Sequence, residues 1–322
     1  MRIFRALEEI AAPLPNPVVT LGNFDGVHIG HREIFRRVRQ EAKRIGGTSV
    51  VVTFHPHPLK VLHVGKEIRL INTYAEKELL LEASGVDCLV IIPFDATFAT
   101  IDPRTFIRDI LVGRIGVHTL FIGYDYAFGR NREGRVPLLV SEGRELGFSV
   151  KVLEPINNGS EIYSSSAIRR LISIGDVAGV VPFLGRHFSL SGTVVPGHQR
   201  GSVLGFPTAN IDTEKELLPA EGVYAVKVKI GDAVHEGACN IGRNPTFGNR
   251  ESSVEVFLFD FSGDLYGQEM RIYFVERIRG ERKFTGPEAL KEAIAADVAR
   301  CRALLHHAAI IEYREYLEET SP

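Results

Sequence analysis

Residues 18–38, VVTLGNFDGVHIGHREIFRRV, constrain this chain more than any other stretch, because they run from buried strand through tight turn into helix without a break. Val18, Val19 and Leu21 form a short apolar run, Gly22 to Gly26 carries glycine and Asx turn chemistry, and Ile34, Phe35, Val38, Ala42 and Ile45 recur at helical spacing. The start of such a helix presents unpaired backbone N–H groups and the positive end of the dipole, which favour an anion such as a phosphate. His28 and His31, three residues apart in the first turn, point to the same side of it.

The texture of the first half continues the theme. Ser49–Phe54, Cys88–Ile92, Thr119–Ile122 and Phe148–Leu153 read as strands, with Glu76–Ala83, Pro103–Leu111 and Pro137–Leu146 as crossover helices between them. That alternation predicts a Rossmann-like parallel α/β sheet. After Leu190 the helical patterns stop: Ser191–Val195, Val223–Ile230, Val234–Ile241, Val254–Phe261 and Met270–Ile278 are strands separated by turns, which predicts an antiparallel β-barrel. A helix from Pro287 to about Leu317 closes the chain. At 322 residues two domains are expected, and a boundary in Gly185–Ser189, after a short helical segment that starts near Ser165, gives 1–185 and 186–322.

A net charge of −2 supplies no global basic field for duplex nucleic acid. The three cysteines, Cys88, Cys239 and Cys301, are scattered and odd in number, so they read as core residues of a reduced, cytoplasmic protein rather than a disulfide or zinc framework. The N-terminus lacks the apolar stretch of a signal peptide, and no run approaches the roughly 20 apolar residues of a membrane span.

Ligands of open α/β sheets bind beyond the carboxyl ends of the strands, where Gly22–Gly30 would lie. Neither a G-x-x-x-x-G-K-[ST] loop nor a strand-following G-x-G-x-x-G is present. Instead His28-Ile29-Gly30-His31 resembles the HxGH signature of the nucleotidyltransferase superfamily, and Ser164-Ser165-Ser166-Ala167-Ile168-Arg169 resembles its partner motif. The longer string L-G-N-F-D-G-V-H-I-G-H, with T-F-H-P-H-P at 53–58 and G-Y-D-Y-A-F-G at 123–129, resembles the N-terminal module of the bacterial bifunctional riboflavin kinase/FAD synthetase family over residues 15–185. The resemblance implies an FMN adenylyltransferase module using ATP and Mg²⁺. Its ATP and FMN pocket would be lined by Gly22, Asn23, Phe24, Asp25, Gly30, Asp125, Ser164, Ser165 and Ser166, with His28, His31 and Arg169 catalytic. Fixed donors at these places would meet the charge that develops on the phosphate oxygens and departing pyrophosphate. Ser166 stands where the family usually has Thr, and Asp125 where some members have Asn. Class I aminoacyl-tRNA synthetases share the H-I-G-H string, but no K-M-S-K-S-like loop accompanies it here.

In the second half Gly192, Gly197, Gly201 and Gly205 allow backbone to approach phosphates closely, and Pro207-Thr208-Ala209-Asn210 matches the PTAN signature of riboflavin kinases. Thr208 and Asn210, two apart on an extended segment, present oxygens to the same side, a geometry suited to Mg²⁺. Glu255 is a lone carboxylate on the face opposite Val254 and Val256. The kinase resemblance, over about residues 186–310, makes it the base for the ribityl 5′-hydroxyl, with ATP and riboflavin held by Gly197, Gly201, Gly205, Pro207, Thr208 and Asn210. G-V-Y-A-V at 222–226, N-I-G-x-x-P-T-F at 240–247 and RIRGERKF at 277–284 extend the match, and Asn244 stands where Arg is frequent.

The arginines after His31 read as a solvated helix face, with Arg32 nearest the first turn. His55 and His57 are assigned either to a plain turn or, by the resemblance, to a flavin or phosphate contact. His306 and His307 read as surface or packing residues. Two rivals stay open: a nucleotidyltransferase for another phosphorylated acceptor, and a flavin-binding module without catalysis.

Overall fold

In the computed structural model, residues 1–62, 68–157, 159, 161–197, 201, 204–242 and 252–312 are described. They form two compact units, residues 1–69 with 74–164 and residues 70–73 with 165–322.

The first unit holds β1 (Arg2–Phe4), β2 (Val18–Leu21), α1 (Ile29–Ile45), β3 (Ser49–His55), α2 (Pro58–Leu62), α3 (Tyr74–Ala83) and β4 (Cys88–Pro93). Next come α4 (Pro103–Thr105), which runs on into a π-helical stretch at Phe106–Ile115, and β5 (Thr119–Gly123). A small hairpin, β6 (Ala127–Phe128) with β7 (Gly134–Arg135), precedes α5 (Val136–Leu146) and β8 (Ser149–Leu153). The sheet is parallel in the order β1-β4-β3-β2-β5-β8, as the βα alternation predicts. Edge strand β1 is too short for its three residues to show a period, so it goes unseen in the sequence. All four residues of β2 are buried. Its alternate side chains serve two faces: Val18 packs with Val38 and Ala42 of α1, while Val19 and Leu21 join the larger core on the other side. Because β3 and β4 lie on one side of β2 and β5 and β8 on the other, the strand order reverses at β2, and a crevice is expected beyond its carboxyl end.

Beyond residues 70–73, the second unit holds α6 (Ser165–Ile174) and α7 (Val181–Leu184). Six strands, β9 (Ser189–Val195), β10 (Ala209–Asp212), β11 (Gly222–Ile230), β12 (Ala233–Gly242), β13 (Ser253–Leu258) and β14 (Glu269–Gly280), close into a barrel in the order β10-β13-β12-β11-β14-β9. Tyr224 is fully buried, and its hydroxyl donates to the Ala220 carbonyl. Helix α8 (Pro287–Leu305) packs Cys301 and Leu305 against Val223, Ala225 and Ile278. It stops at Leu305, short of Leu317, since Leu305 is the last residue it buries among the barrel apolars; residues 306–312 are not helical, and 313–317 lie outside the described residues. Strand β13 likewise ends before Phe261, where Asp260 takes a positive φ of 53°. The three cysteines are free and buried. Among the described residues no helix is long and apolar enough to cross a membrane.

Candidate active sites

Between β2 and α1 the backbone takes positive φ at Phe24 (48°), Gly26 (89°) and Val27 (40°). For Phe and β-branched Val that region costs on the order of 1–3 kcal/mol each, so neighbouring contacts must hold the turn. At its downstream end His28 is the N-cap of α1, its Nδ1 accepting from the His31 N–H at 3.3 Å, and the two imidazoles stack with centroids 3.5 Å apart. With Nδ1 accepting, Nε2 is the nitrogen that carries the N–H of the neutral ring. Phe24 closes edge-on over His31 and Phe35, at 5.2 and 5.0 Å. Two glycines permit this packing. A Cβ at Gly22 would come 2.8 Å from the Phe24 ring, and one at Gly30 would press at 3.1 Å on the His28 ring and 3.2 Å on Tyr163 Cβ. Asp25 and His28 are each only 5% exposed.

The upstream end is held from β3 and α3. Thr53 Oγ1 donates to the Asn23 carbonyl at 3.3 Å, and Lys77 Nζ donates both to that carbonyl at 3.4 Å and to Thr53 Oγ1 at 3.3 Å. Lys77 is buried, and desolvation pulls its pKa down to about 8 against the opposing pull of Asp25 and Glu78. His55 is exposed beside the Tyr74 ring, centroids 4.0 Å apart, and burial of its ring followed by the charge of Lys77 lowers its pKa. His57 is buried: its backbone N–H donates to the Tyr74 hydroxyl at 2.9 Å, and its Nδ1 accepts from the Leu59 N–H at 3.2 Å. Through these two bonds His57 helps form the turn, and exposed His55 stands beside it against Tyr74.

Asp125 follows β5 and is exposed, its Oδ1 3.3 Å from where a Gly123 Cβ would stand. Tyr163, against Gly30, seats the segment that leads into Ser164. Ser165, Ser166 and Arg169 belong to α6 in the second unit. Ser165 and Arg169 are half-buried on one side of that helix and Ser166 is exposed. Most of the arginines on α1 are the expected solvated face; Arg36 and Arg37 pair with Glu33 at 2.6 and 2.8 Å.

In the barrel, the register carries the geometry. Strand β10 places Asn210 directly opposite Glu255 on β13, and β12 places Asn240 opposite Glu255 from the other side. Asn210, Glu255 and Asn240 therefore form a row across three strands on one face, with directly opposed Cβ atoms about 5 Å apart. Phe257, two residues after Glu255, shares that face, and its ring meets Phe206 edge-on at 5.5 Å; Thr208 immediately precedes β10. Strand β13 alternates as the sequence predicts: Val254, Val256 and Leu258 are buried, Glu255 and Phe257 half-buried. The glycines approach closely here too. A Cβ at Gly197 would collide with the Asn210 carboxamide, and one at Gly201 with the Phe206 carbonyl, 3.4 Å from Thr208 Oγ1; Gly205 takes a positive φ of 87° beside exposed Pro207. Asn244 lies outside the described residues. Arg277 and Arg279 of the RIRGERKF run are structural: Arg277 donates to the Ile174 and Glu221 carbonyls at 3.0 and 2.7 Å, and Arg279 pairs with Asp297 of α8 at 2.8 Å.

Sequence reasoning missed Lys77 and Asn240. For Lys77 a signal was present, since it occupies the apolar stripe of α3 completed by Leu80 and Leu81. For Asn240 there was none beyond the N-I-G motif, because register is invisible in one strand.

Residues 11–167 match the family model described as FAD synthetase, and residues 184–305 the one described as riboflavin kinase. The chain is 35% identical over 304 residues to the bifunctional riboflavin kinase/FMN adenylyltransferase of Escherichia coli (strain K12), covering 94% of this chain and 97% of that one. It is 36% identical over 287 residues to the protein of the same name from Bacillus subtilis (strain 168), covering 87% and 90%. Among solved structures, a macrolide-efflux protein from Streptococcus pneumoniae superposes with a TM-score of 0.82 at 30% identity, over 93% of this chain and 98% of that one.

Proposed function

The chain belongs to the bifunctional riboflavin kinase/FMN adenylyltransferase family, and we propose that residues 186–322 phosphorylate riboflavin to FMN while residues 1–185 adenylylate FMN to FAD. ATP is the co-substrate of both steps. In the kinase step Glu255 accepts the proton of the ribityl 5′-hydroxyl as that oxygen attacks the γ-phosphorus, and ADP leaves. Thr208 and Asn210 would hold Mg²⁺, which when bound offsets phosphate charge. The donors fit such an ion: oxygens only, from two residues, leaving most of its water shell in place. Gly197, Gly201, Gly205 and Pro207 shape the backbone that receives the phosphates.

In the adenylyl transfer an FMN phosphate oxygen attacks the α-phosphorus of ATP and pyrophosphate leaves. His28, His31 and the start of α1 meet the charge on the phosphate oxygens. Gly22, Asn23, Phe24 and Asp25 form the turn, Gly30 lies in the first turn of α1, and Asp125 borders the same end of the sheet. Ser164, Ser165, Ser166 and Arg169 are assigned to this reaction on the strength of their motif. Net charge −2 argues against nucleic acid as a partner, and free buried thiols suit a cytoplasmic enzyme.

The observation that supports this reading most is Asn210 standing opposite Glu255, since a slip of one residue would have put the carboxylate on the other barrel face. Product analysis tests it. The full chain with riboflavin, ATP and Mg²⁺ is expected to form FMN first and FAD second; reactions that form no FMN, or that accumulate FMN without any FAD, would sink it.

A further inference from the structure

Lys77 is a buried charge that neither motif accounts for. It is 8% exposed on the core-facing side of α3, where a methionine or leucine would fill the same volume without desolvating an ammonium. What it contacts is specific. Its Nζ donates to the Asn23 carbonyl and to Thr53 Oγ1, and Thr53 donates to that same carbonyl, so two donors from two elements converge on one backbone oxygen. Asn23 is the last residue before the positive-φ turn at Phe24–Val27. That turn is unfavourable for its side chains and is pinned downstream by the His28 cap, so the Asn23 carbonyl is where its upstream end must be held. The charged groups facing the ammonium are Asp25 from the turn itself, Glu78 on its own helix and His55 at the end of β3, with the Tyr74 ring 5.1 Å away.

We propose that Lys77 is a positioning residue for adenylyl transfer: its ammonium holds the Asn23 carbonyl against β3 and thereby fixes the turn that sets Asp25 and His28 in place. The hold depends on the proton. A neutral amine is a weaker donor and loses its attraction to Asp25. Since burial brings the pKa to about 8, the hold predominates at neutral pH and is lost as pH rises through that value. The proposal rests on reading the His28–His31 turn as the adenylyl-transfer site.

The test uses the full chain with FMN, ATP and Mg²⁺, comparing wild type with Lys77→Met, which keeps the length and removes the charge. The kcat for FAD formation at neutral pH is expected to fall at least about tenfold, with the KM for ATP changed less than about threefold, because an interaction that aligns the transition state is lost rather than one that binds the ground state. Wild-type kcat should decline as pH passes about 8, and Lys77→Met should lack that limb. FMN formation from riboflavin by the same variant should be unchanged. A kcat within about twofold of wild type, or a loss confined to KM, overturns the proposal. Should Lys77→Met fail to fold, the wild-type profile still decides, and a flat kcat between about pH 7 and 9.5 overturns it. Wild type that makes no FAD at all would refute the site reading instead.

Discussion

The two sites are built by opposite means. Around α1, ten consecutive residues, 22–31, supply the turn, the cap and both histidines, and the geometry is stored in an unfavourable backbone that distant contacts hold in place. In the barrel the backbone is an ordinary antiparallel ladder, and Asn210, Glu255 and Asn240 come from three strands far apart in sequence, aligned only by register. A site made from a local turn is sensitive to anything that relaxes that turn. A site made from register is rigid as long as the ladder holds, and depends chiefly on the chemistry of its side chains.

The sharpest way to break this comparison is Glu255→Gln. It keeps the shape of the row and removes the base, so FMN formation is expected to fall by about 10²–10⁴-fold while FAD formation from supplied FMN persists. Chromatographic separation of the flavins reads both steps in one sample; simultaneous loss of both, with folding intact, would deny that the sites act separately. Next in size is His28→Ala. Loss of a donor to the developing charge should lower FAD formation by about 10²–10³-fold, leaving the kinase step intact. Loss of the cap should also cost about 1 kcal/mol in a denaturant melt. A variant that loses the cap's stability but keeps its rate would make His28 structural. The smallest expected effect is that of Gly30→Ala. Its Cβ would sit 3.1 Å from the His28 ring and 3.2 Å from Tyr163 Cβ, tight contacts that a shift of a few tenths of an ångström relieves. About a tenfold loss in FAD formation is expected, since small displacements at a reacting centre carry large rate penalties. An unchanged rate would show that the turn tolerates adjustment, against the picture of a geometry held under strain.

Much of both candidate sites was legible because certain chemistry needs certain residue types. Two histidines at a helix start, a threonine and asparagine two apart, and a carboxylate alone among valines each stand out against their neighbours. His57 did not separate from His55 in the sequence, since both flank Pro56; only the Tyr74 hydroxyl and the Leu59 amide show that it serves the turn. In the sequence Lys77 is one of several charges along α3, with Glu76, Glu78 and Glu82. Its position in the apolar stripe was readable, but what lay under that stripe was not.

The sequence by itself determined the parallel sheet, the barrel after it and the residue types suited to phosphate chemistry, because hydrophobic period and side-chain functionality are local properties of the chain. Only the tertiary structure decided that Glu255 faces Asn210 and Asn240 and that Lys77 reaches the carbonyl of Asn23. Both depend on which strands and helices become neighbours, and that is settled by burial over the whole unit, which no single segment encodes.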